Sequence, residues 1–526
     1  MKCTWNAAVI SLLACVCMAG IANAQPAPGI IFTSPQPLNG TDQQTVVIND
    51  TNLLQNSGVD FSLSRTLGQI IASALGPAAD TPAARLNFMK AMMRTFAVTS
   101  ATNPLSGVTL ALTPRPGELA LNPADLLDPT NVDGGMHVVG LFNRLDLMPA
   151  NAAYCGEYRI IYEMGVTPPP FTKHHFTLIF EAALDNPNPA QGAAGCLPVA
   201  QFWMSLGNLS GTPLAQALEQ FYYAGIPGAS GPVVDFKNYG NPFGQVRGST
   251  FADGDPNWQM REWLIKKTST AGLTFAMHTM GDSPLISLYQ VPDPNDPPQL
   301  TALRASFQNE YLSSFIQQLT AVDMTGWQQQ ITDTTFFFKL AANFENKYSG
   351  FESSQQDALD EPVATIDPQF AQNIQTAVNS LGLPWSVSST EILERADTQT
   401  CGGCHRGNAP KDVAPSSKPH QSIQWPGTLP FQHIGEVGEL SHLLTDRFLP
   451  SRFGNLTNFV AQPQPGAVSH RIPGMVQEAV GIRAAIRQVG FSSDAGMLRS
   501  IDRSIEKVRQ QDRRTPGFFV PLRPAD

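Results

Sequence analysis

The sequence predicts an α+β fold, in which an N-terminal domain with antiparallel strands is followed by a mainly α-helical domain. Apolar runs of strand length are concentrated between residues 108 and 291, and turn-forming residues separate several of them. Helical periodicity dominates from residue 369 onward. The intervening stretch 349–368 is polar and carries two prolines. We therefore expect an α+β domain over residues 61–360 and a helical domain over residues 361–526.

Composition excludes several classes of protein. The chain has 526 residues, of which 42% are hydrophobic and only 14% are charged, so extended charge-driven disorder is excluded. The 43 prolines and 42 glycines indicate many turns, but no collagen-like period is present. With a formal net charge of −10 and no basic run, the chain offers no electrostatic footprint for nucleic acid.

The N-terminus predicts export. Residues 1–24 combine Lys2, an apolar run over 7–21 and the small-residue cleavage site Ala22-Asn23-Ala24, as in a secretory signal peptide. The alternatives are a retained membrane anchor and a lipoprotein processing box ending at Cys15. The apolar run is short for a membrane span and continues past Cys15, so ordinary cleavage is favoured. We expect a periplasmic or secreted protein with no membrane span, in which residues 25–60 form an exposed lead-in.

The individual elements follow from local patterns. Strands are predicted over residues 108–112, 136–142, 158–164, 176–182, 275–280 and 285–291. Helices are predicted within residues 61–98 and over 198–204, 214–223, 301–320, 369–381, 389–399, 436–448, 475–488 and 494–510. Residues 336–344 form a buried element whose type the pattern leaves open.

The cysteines predict one structural disulfide. After removal of residues 1–24, four cysteines remain, and these allow three pairings. Cys155 precedes the run 158–164, and a proline turn leads to the run 176–182. If the two runs form a hairpin, the loop after the second returns Cys196 to Cys155. We therefore predict a Cys155–Cys196 disulfide.

The sharpest motif is Cys401-Gly402-Gly403-Cys404-His405, because C-x-x-C-H is the attachment sequence of c-type haem. Two thiols at this spacing can reach the two vinyl groups on one edge of the porphyrin, and the adjacent histidine can ligate the iron. Ser388 and Glu391 form a capping-box pattern that begins a helix directly before the motif.

This helix and motif resemble those of cytochrome c domains. The resemblance is close over residues 389–410 and extends over the rest of 370–526 only in helical character. It implies that Cys401 and Cys404 hold one covalent haem c and that His405 is the proximal iron ligand. The N-terminal domain resembles uncharacterised exported bacterial proteins with a C-terminal cytochrome-like segment, and that likeness carries no activity.

Three other interpretations of the motif remain open. Cys401 and Cys404 could form a plain disulfide. They could form a thioredoxin-like redox pair, although that motif normally follows a strand and opens a helix. They could belong to a zinc site, although the sequence has no second C-x-x-C and no H-x₃₋₅-H pair to complete it.

The distal iron ligand would decide the chemistry of such a haem. His433 is the first candidate, since Trp425, Leu429, Phe431 and Ile434 surround it in the sequence with apolar side chains. Met475 is the second candidate, because it begins a predicted helix after a proline-glycine turn and so resembles the axial-methionine loop of many cytochromes c. His420, His442, His470 and Met497 are less favoured.

In the N-terminal domain, Arg144 and Asp146 follow one predicted strand, and Glu157 and Arg159 begin the next. If these ends converge, they form an acid–arginine cluster, which we interpret as a structural ion-pair network. His174 and His175 would point to opposite faces of a strand and so could not chelate one metal ion together.

The sequence therefore predicts a periplasmic mono-haem c-type cytochrome that transfers single electrons or serves as the redox module of an oxidoreductase. Its partner would be a redox protein or a small electron donor or acceptor. The alternative is an exported structural or binding protein with a Cys401–Cys404 disulfide and no haem. A haem peroxidase with an open distal position is a third option.

Overall fold

The computed structural model describes the chain between residues 38 and 461 with internal gaps. The described residues are 38–165, 174–240, 244–252, 258–270, 272–281, 283–320, 330–332, 335–336, 344–354, 366–383, 387–397, 400–402, 411–412, 424–425, 434, 438–440, 444–445 and 449–461. The predicted signal peptide and the predicted helices 475–488 and 494–510 lie outside these residues, as does most of 436–448.

A central antiparallel sheet organises the molecule. The strands are β1 Val47–Ile48, β2 Ser100–Thr102, β3 Thr109–Ala111, β4 Met136–Arg144, β5 Tyr154–Met164, β6 His174–Asp185, β7 Gln245–Ala252, β8 Gln259–Lys267, β9 Leu273–His278, β10 Gln330–Thr332, β11 Thr335–Phe336, β12 Glu352–Ser354, β13 Lys411–Asp412 and β14 Gln424–Trp425. The main sheet has eight strands in the order β1-β4-β5-β6-β7-β8-β12, with β9 also paired to β8. β9 and β12 pair with different halves of β8, so together they complete one edge.

The helices are short and mostly amphipathic. They are α1 Gly40–Gln43, α2 Thr51–Asn56, α3 Leu63–Leu75, α4 Pro82–Arg94, α5 Pro116–Leu119, α6 Pro123–Leu126, α7 Leu197–Leu206, α8 Gly211–Tyr223, α9 Pro298–Glu310, α10 Ile316–Thr320, α11 Pro368–Ser380, α12 Ser389–Asp397 and α13 Leu449–Ala461. A π-helical turn over Tyr311–Phe315 joins α9 to α10. Within the described residues, no helix is both long and apolar enough to cross a membrane.

One face of the sheet packs against helices. In β5, side chains alternate between the two faces, and Tyr158 and Tyr162 point toward the helices. Trp203 of α7 stacks on Tyr158 with ring centroids 6.0 Å apart, and Thr66 of α3 shares a hydrogen bond of 2.7 Å with the Tyr162 hydroxyl. These contacts bury large aromatic surfaces, each of which stabilises the fold by roughly 1.5–3 kcal/mol.

The hairpin β5–β6 confirms the predicted disulfide. Tyr154 lies opposite Asp185 in the sheet register, so the start of β5 meets the end of β6. The 3₁₀ segment Pro189–Cys196 then brings the chain back, and Cys155 and Cys196 are bonded with their Cα atoms 5.4 Å apart.

A second core spans the predicted domain boundary. Leu303 and Phe307 of α9 lie in the same buried cluster as Phe370 of α11 and Ile392 of α12. Leu456 of α13, the last helix of the described residues, contributes to the main core. Side chains from both sides of residue 360 therefore share both cores.

The predicted elements of the α+β region are largely confirmed, but two expectations need correction. The pattern over residues 285–291 predicts a strand, whereas the structure has the 3₁₀ turn Ile286–Leu288 and only isolated bridging residues. The segment 25–60 is expected to be an exposed lead-in, yet its described part, from residue 38, forms α1, β1 and α2. Val47 of β1 is buried because it pairs with Phe142 of β4 at the sheet edge.

Strands β7 and β8 have no counterpart among the predicted strands. Their alternation is obscured in the sequence because they carry buried charges, such as Arg247 and Glu262, at positions where an ordinary core strand has apolar residues. These two strands, which the sequence pattern does not predict, lie next to each other in the main sheet. Both contribute residues to the candidate site described below.

Candidate functional site

Helix α12 leads into the C-x-x-C-H sequence and begins with the predicted capping box. The Glu391 amide donates to Ser388 Oγ at 3.1 Å, and the Ser388 amide donates to Glu391 Oε2 at 2.6 Å. Ile392 and Ala396 face the second core. The helix ends at Asp397, four residues before Cys401.

The first two residues of the motif are fixed against the sheet. The Gly402 amide donates to Ser353 Oγ of β12 at 2.8 Å. A Cβ atom at Gly402 would lie 2.2 Å from the Ser354 carbonyl oxygen, so only glycine fits this approach. The hydrogen bond to Ser353 and this close backbone approach hold the start of the motif at the edge formed by β8 and β12.

Cys401 is buried, with 4% of its surface exposed, in a small cluster with Trp258, Met260 and Met280. The Trp258 indole donates to Ser249 Oγ of β7 at 2.9 Å, which fixes its ring over the sheet. The surroundings of Cys401 are thus one aromatic ring and two thioethers on the face of the sheet that lies opposite the helices.

On this same face, five charged side chains cross four neighbouring strands. They are Glu157 and Arg159 of β5, Glu181 of β6, Arg247 of β7 and Glu262 of β8, and we call them the ionic ladder. All five side chains are at most 2% exposed.

The charges of the ladder alternate along its length. Arg159 Nη2 lies 2.9 Å from Glu157 Oε2 and 3.2 Å from Glu181 Oε1. Arg247 Nη1 lies 3.2 Å from Glu181 Oε1, and Arg247 Nη2 lies 2.7 Å from Glu262 Oε1. The Gln245 side-chain amide donates to Glu181 at 2.7 Å and to Glu262 at 3.2 Å. Each carboxylate therefore has at least one guanidinium partner.

Electrostatics hold Arg247 in its charged form and connect it to the motif. Burial by itself would lower the pKa of Arg247, but the carboxylates of Glu181 and Glu262 raise it well above its usual value. Cys401, if ionised, would raise this pKa further, by a smaller amount.

Two histidines lie near buried carboxylates on this face of the sheet, and one of those carboxylates belongs to the ladder. His278 Nδ1 of β9 is 3.7 Å from Glu262 Oε2. His175 Nδ1 of β6 is 3.8 Å from Glu163 Oε2 of β5. Both side chains are partly exposed, so they connect the buried carboxylates with the surface.

The cluster predicted near Arg144 and Arg159 is confirmed as an ion-pair network. Arg144 lies opposite Glu157 in the sheet register, so the ends of β4 and β5 do converge. Arg144 Nη2 is 3.0 Å from Asp146 Oδ2. The network extends further than the sequence indicates, because Glu181, Arg247 and Glu262 continue it across the sheet.

The described residues do not include every predicted ligand. Cys404, His405, His433 and Met475 lie outside them, and so does Cys15. Ile434, the neighbour of His433, is buried in the main core, and its Cδ1 atom occupies the space beside Gly140 of β4. Gly140 lies opposite Ile161, two residues beyond Arg159, so Ile434 contacts the ladder face of the sheet.

One signal in the sequence does mark Glu181, Arg247 and Glu262. Each interrupts a segment of strand composition with a charge, which is unfavourable unless the charge is paired inside the protein. Among the described residues, no group of three or more histidine, cysteine and acidic side chains is arranged to hold a metal ion.

Comparison of the chain with protein-family models, with curated proteins and with solved structures finds no match in any of the three.

Proposed function

We propose that this protein is an exported mono-haem c-type cytochrome that transfers single electrons. In this proposal, the thiols of Cys401 and Cys404 form thioethers to one haem, and the His405 imidazole is the proximal ligand. A bound haem would supply one-electron exchange with a redox partner protein or a small donor or acceptor. The helical segment around the motif would then act as a cytochrome c-like domain.

The observation that carries the proposal is the buried position of Cys401 at the start of a C-x-x-C-H sequence. Trp258, Met260 and Met280 surround this thiol with aromatic and thioether groups, which suit the edge of an apolar macrocycle. Gly402 lets the backbone approach β12 closely, so the start of the motif is held against the sheet. These surroundings of Cys401 support the proposal of a covalently attached haem.

Export is the second support for the proposal. The signal-peptide pattern over residues 1–24 would deliver the chain to the compartment in which c-type haem is attached. The Cys155–Cys196 disulfide is of the kind that persists in an oxidising compartment. These two features favour a periplasmic or secreted protein.

The test is expression of the full chain with c-type maturation machinery, followed by haem staining of a denaturing gel and a pyridine haemochrome spectrum. We expect one covalent haem per chain. Cys401→Ser and Cys404→Ser should each weaken or abolish the stain, whereas His175→Ala, a matched change outside the motif, should retain it. If the wild-type chain carries no haem while a control cytochrome matures correctly in the same experiment, the proposal is wrong. The alternative then holds, in which the chain is an exported protein with a disulfide or thiol pair at Cys401 and Cys404.

A further inference from the structure

We infer that the ionic ladder sets the reduction potential of the group attached at Cys401. This inference rests on the proposed function, because it concerns a haem at that cysteine. It assigns an electrostatic role in redox chemistry to residues of the large N-terminal region, none of which belongs to the attachment motif.

The position of Cys401 is the first step. Its thiol packs in one cluster with Met260 of β8. Met260 and Glu262 are two residues apart in that strand, so both project from the same face of the sheet. The ladder therefore begins beside the attachment cysteine.

The direction of the ladder is the second step. Neighbouring strands lie about 4.8 Å apart. Arg247 is directly opposite Glu262, and Glu181 and Arg159 face each other on the next two strands. On β4, the strand next to β5, Ile434 of the C-terminal region lies against Gly140.

Burial makes these charges effective. Exposed charges act weakly over distance because water and salt screen them, whereas buried charges are screened much less. A buried carboxylate stabilises positive charge nearby and so favours the oxidised state of a redox centre. A buried guanidinium has the opposite effect. The ladder holds three carboxylates and two guanidinium groups, so its own charge favours the oxidised state.

Single substitutions test the role of charge. Redox titration of the purified holoprotein, followed by haem absorbance, gives the midpoint potential of each variant. We expect Glu262→Gln to raise the potential and Arg247→Gln to lower it. Each should change the ratio of oxidised to reduced protein at a fixed applied potential by at least tenfold, which is about 59 mV for a one-electron couple.

Three further variants separate charge from structure. Arg247→Lys keeps the charge and should stay near the wild-type potential. The double variant Arg247→Gln/Glu262→Gln removes a matched pair without changing the net charge, so it should also stay near wild type, and it provides a second measurement if a single variant folds poorly. Glu219→Gln breaks the partly exposed pair with Arg65 in the helical layer, and it should leave the potential unchanged.

The outcomes distinguish this inference from the proposed function. Opposite shifts for the two single variants, with little shift for the double variant, support the ladder as an electrostatic determinant. Shifts in the same direction, or potentials that stay at the wild-type value, overturn it while leaving the haem assignment intact. A wild-type chain without covalent haem overturns the proposed function first, and the gel shows this before any potential is measured.

Discussion

Arg159 and Glu181 face each other across β5 and β6 in the interior of the protein. Arg159 Nη2 is 3.2 Å from Glu181 Oε1, and neither side chain is more than 1% exposed. Glu181 also pairs with Arg247 on its other side, so one carboxylate connects two buried guanidinium groups. Such networks are costly to desolvate, and apolar replacements are often as stable. Their presence on a sheet that could have been apolar is the reason to assign them a role.

Removing the central carboxylate should destabilise much of this arrangement. Glu181→Ala leaves two buried arginines without a shared partner, and we expect it to lower the free energy of unfolding by about 3–5 kcal/mol. Urea denaturation would measure the loss. Glu219→Ala, at the partly exposed Arg65–Glu219 pair, should cost at most about 1 kcal/mol. Equal losses for the two variants would contradict the assignment of a tightly coupled buried network.

Asp146 should make stability depend on acid pH. Burial would raise the pKa of its carboxyl, but the nearby guanidinium groups of Arg144 and Arg452 lower it below the usual value. A depressed pKa contributes stability above the unfolded pKa of about 4, and this is lost as pH falls through the folded pKa. Asp146→Asn should therefore be less stable than wild type at about pH 7, and the difference should shrink below about pH 4. If the difference in the free energy of unfolding between the two proteins stays constant with pH, Asp146 does not contribute to the pH dependence of stability.

The disulfide should contribute substantially to stability. Cys155 and Cys196 are separated by 41 positions, and closing a loop of this length stabilises the fold by about 4 kcal/mol in the chain-entropy model. The Cys155→Ser/Cys196→Ser double variant should lose stability by about that amount in thermal or urea unfolding. Peptide mapping without reductant should identify the linked pair in the wild-type protein. Recovery of both peptides with modifiable thiols would contradict the bond.

Replacement by alanine should have opposite effects on the stability of the protein at two glycines. Gly402→Ala places a methyl group against the Ser354 carbonyl, and we expect a loss of about 1–3 kcal/mol together with weaker haem attachment. Gly454 lies inside α13, and a methyl group there would meet open space, so Gly454→Ala should stabilise the protein by about 0.5–1 kcal/mol. Normal haem content in Gly402→Ala would show that the approach to β12 is not needed for attachment.

The distal ligand is tested by spectroscopy of the reduced haem. His433 remains the first candidate, and its neighbour Ile434 is buried on the ladder face of the sheet. We expect His433→Ala to change the spin state and to permit carbon monoxide binding, since loss of a strong axial ligand opens the iron. Met475→Ala should leave the spectrum unchanged. The reverse result would assign the ligand to Met475, and carbon monoxide binding by the wild-type protein would favour the peroxidase alternative.

The features that could be predicted from the amino-acid sequence are local ones. The hairpin that joins β5 to β6, and the disulfide that follows from it, could be predicted because strand alternation and cysteine order are local properties. The capping box before Cys401 was predictable for the same reason, since Ser388 and Glu391 are only three residues apart. The C-x-x-C-H motif is equally local, and it supplies the functional hypothesis.

The surroundings of that motif depend instead on how distant segments pack. Ser353 and Met260, which lie beside Gly402 and Cys401, come from β12 and β8, far away in the sequence. The ionic ladder draws one or two residues from each of four strands, so no single segment reveals it. A charge within a strand is ambiguous in sequence, because its cost depends on partners that arrive only when the sheet assembles. For the same reason β7 and β8 could not be predicted, although they carry Arg247 and Glu262 at the centre of the candidate site.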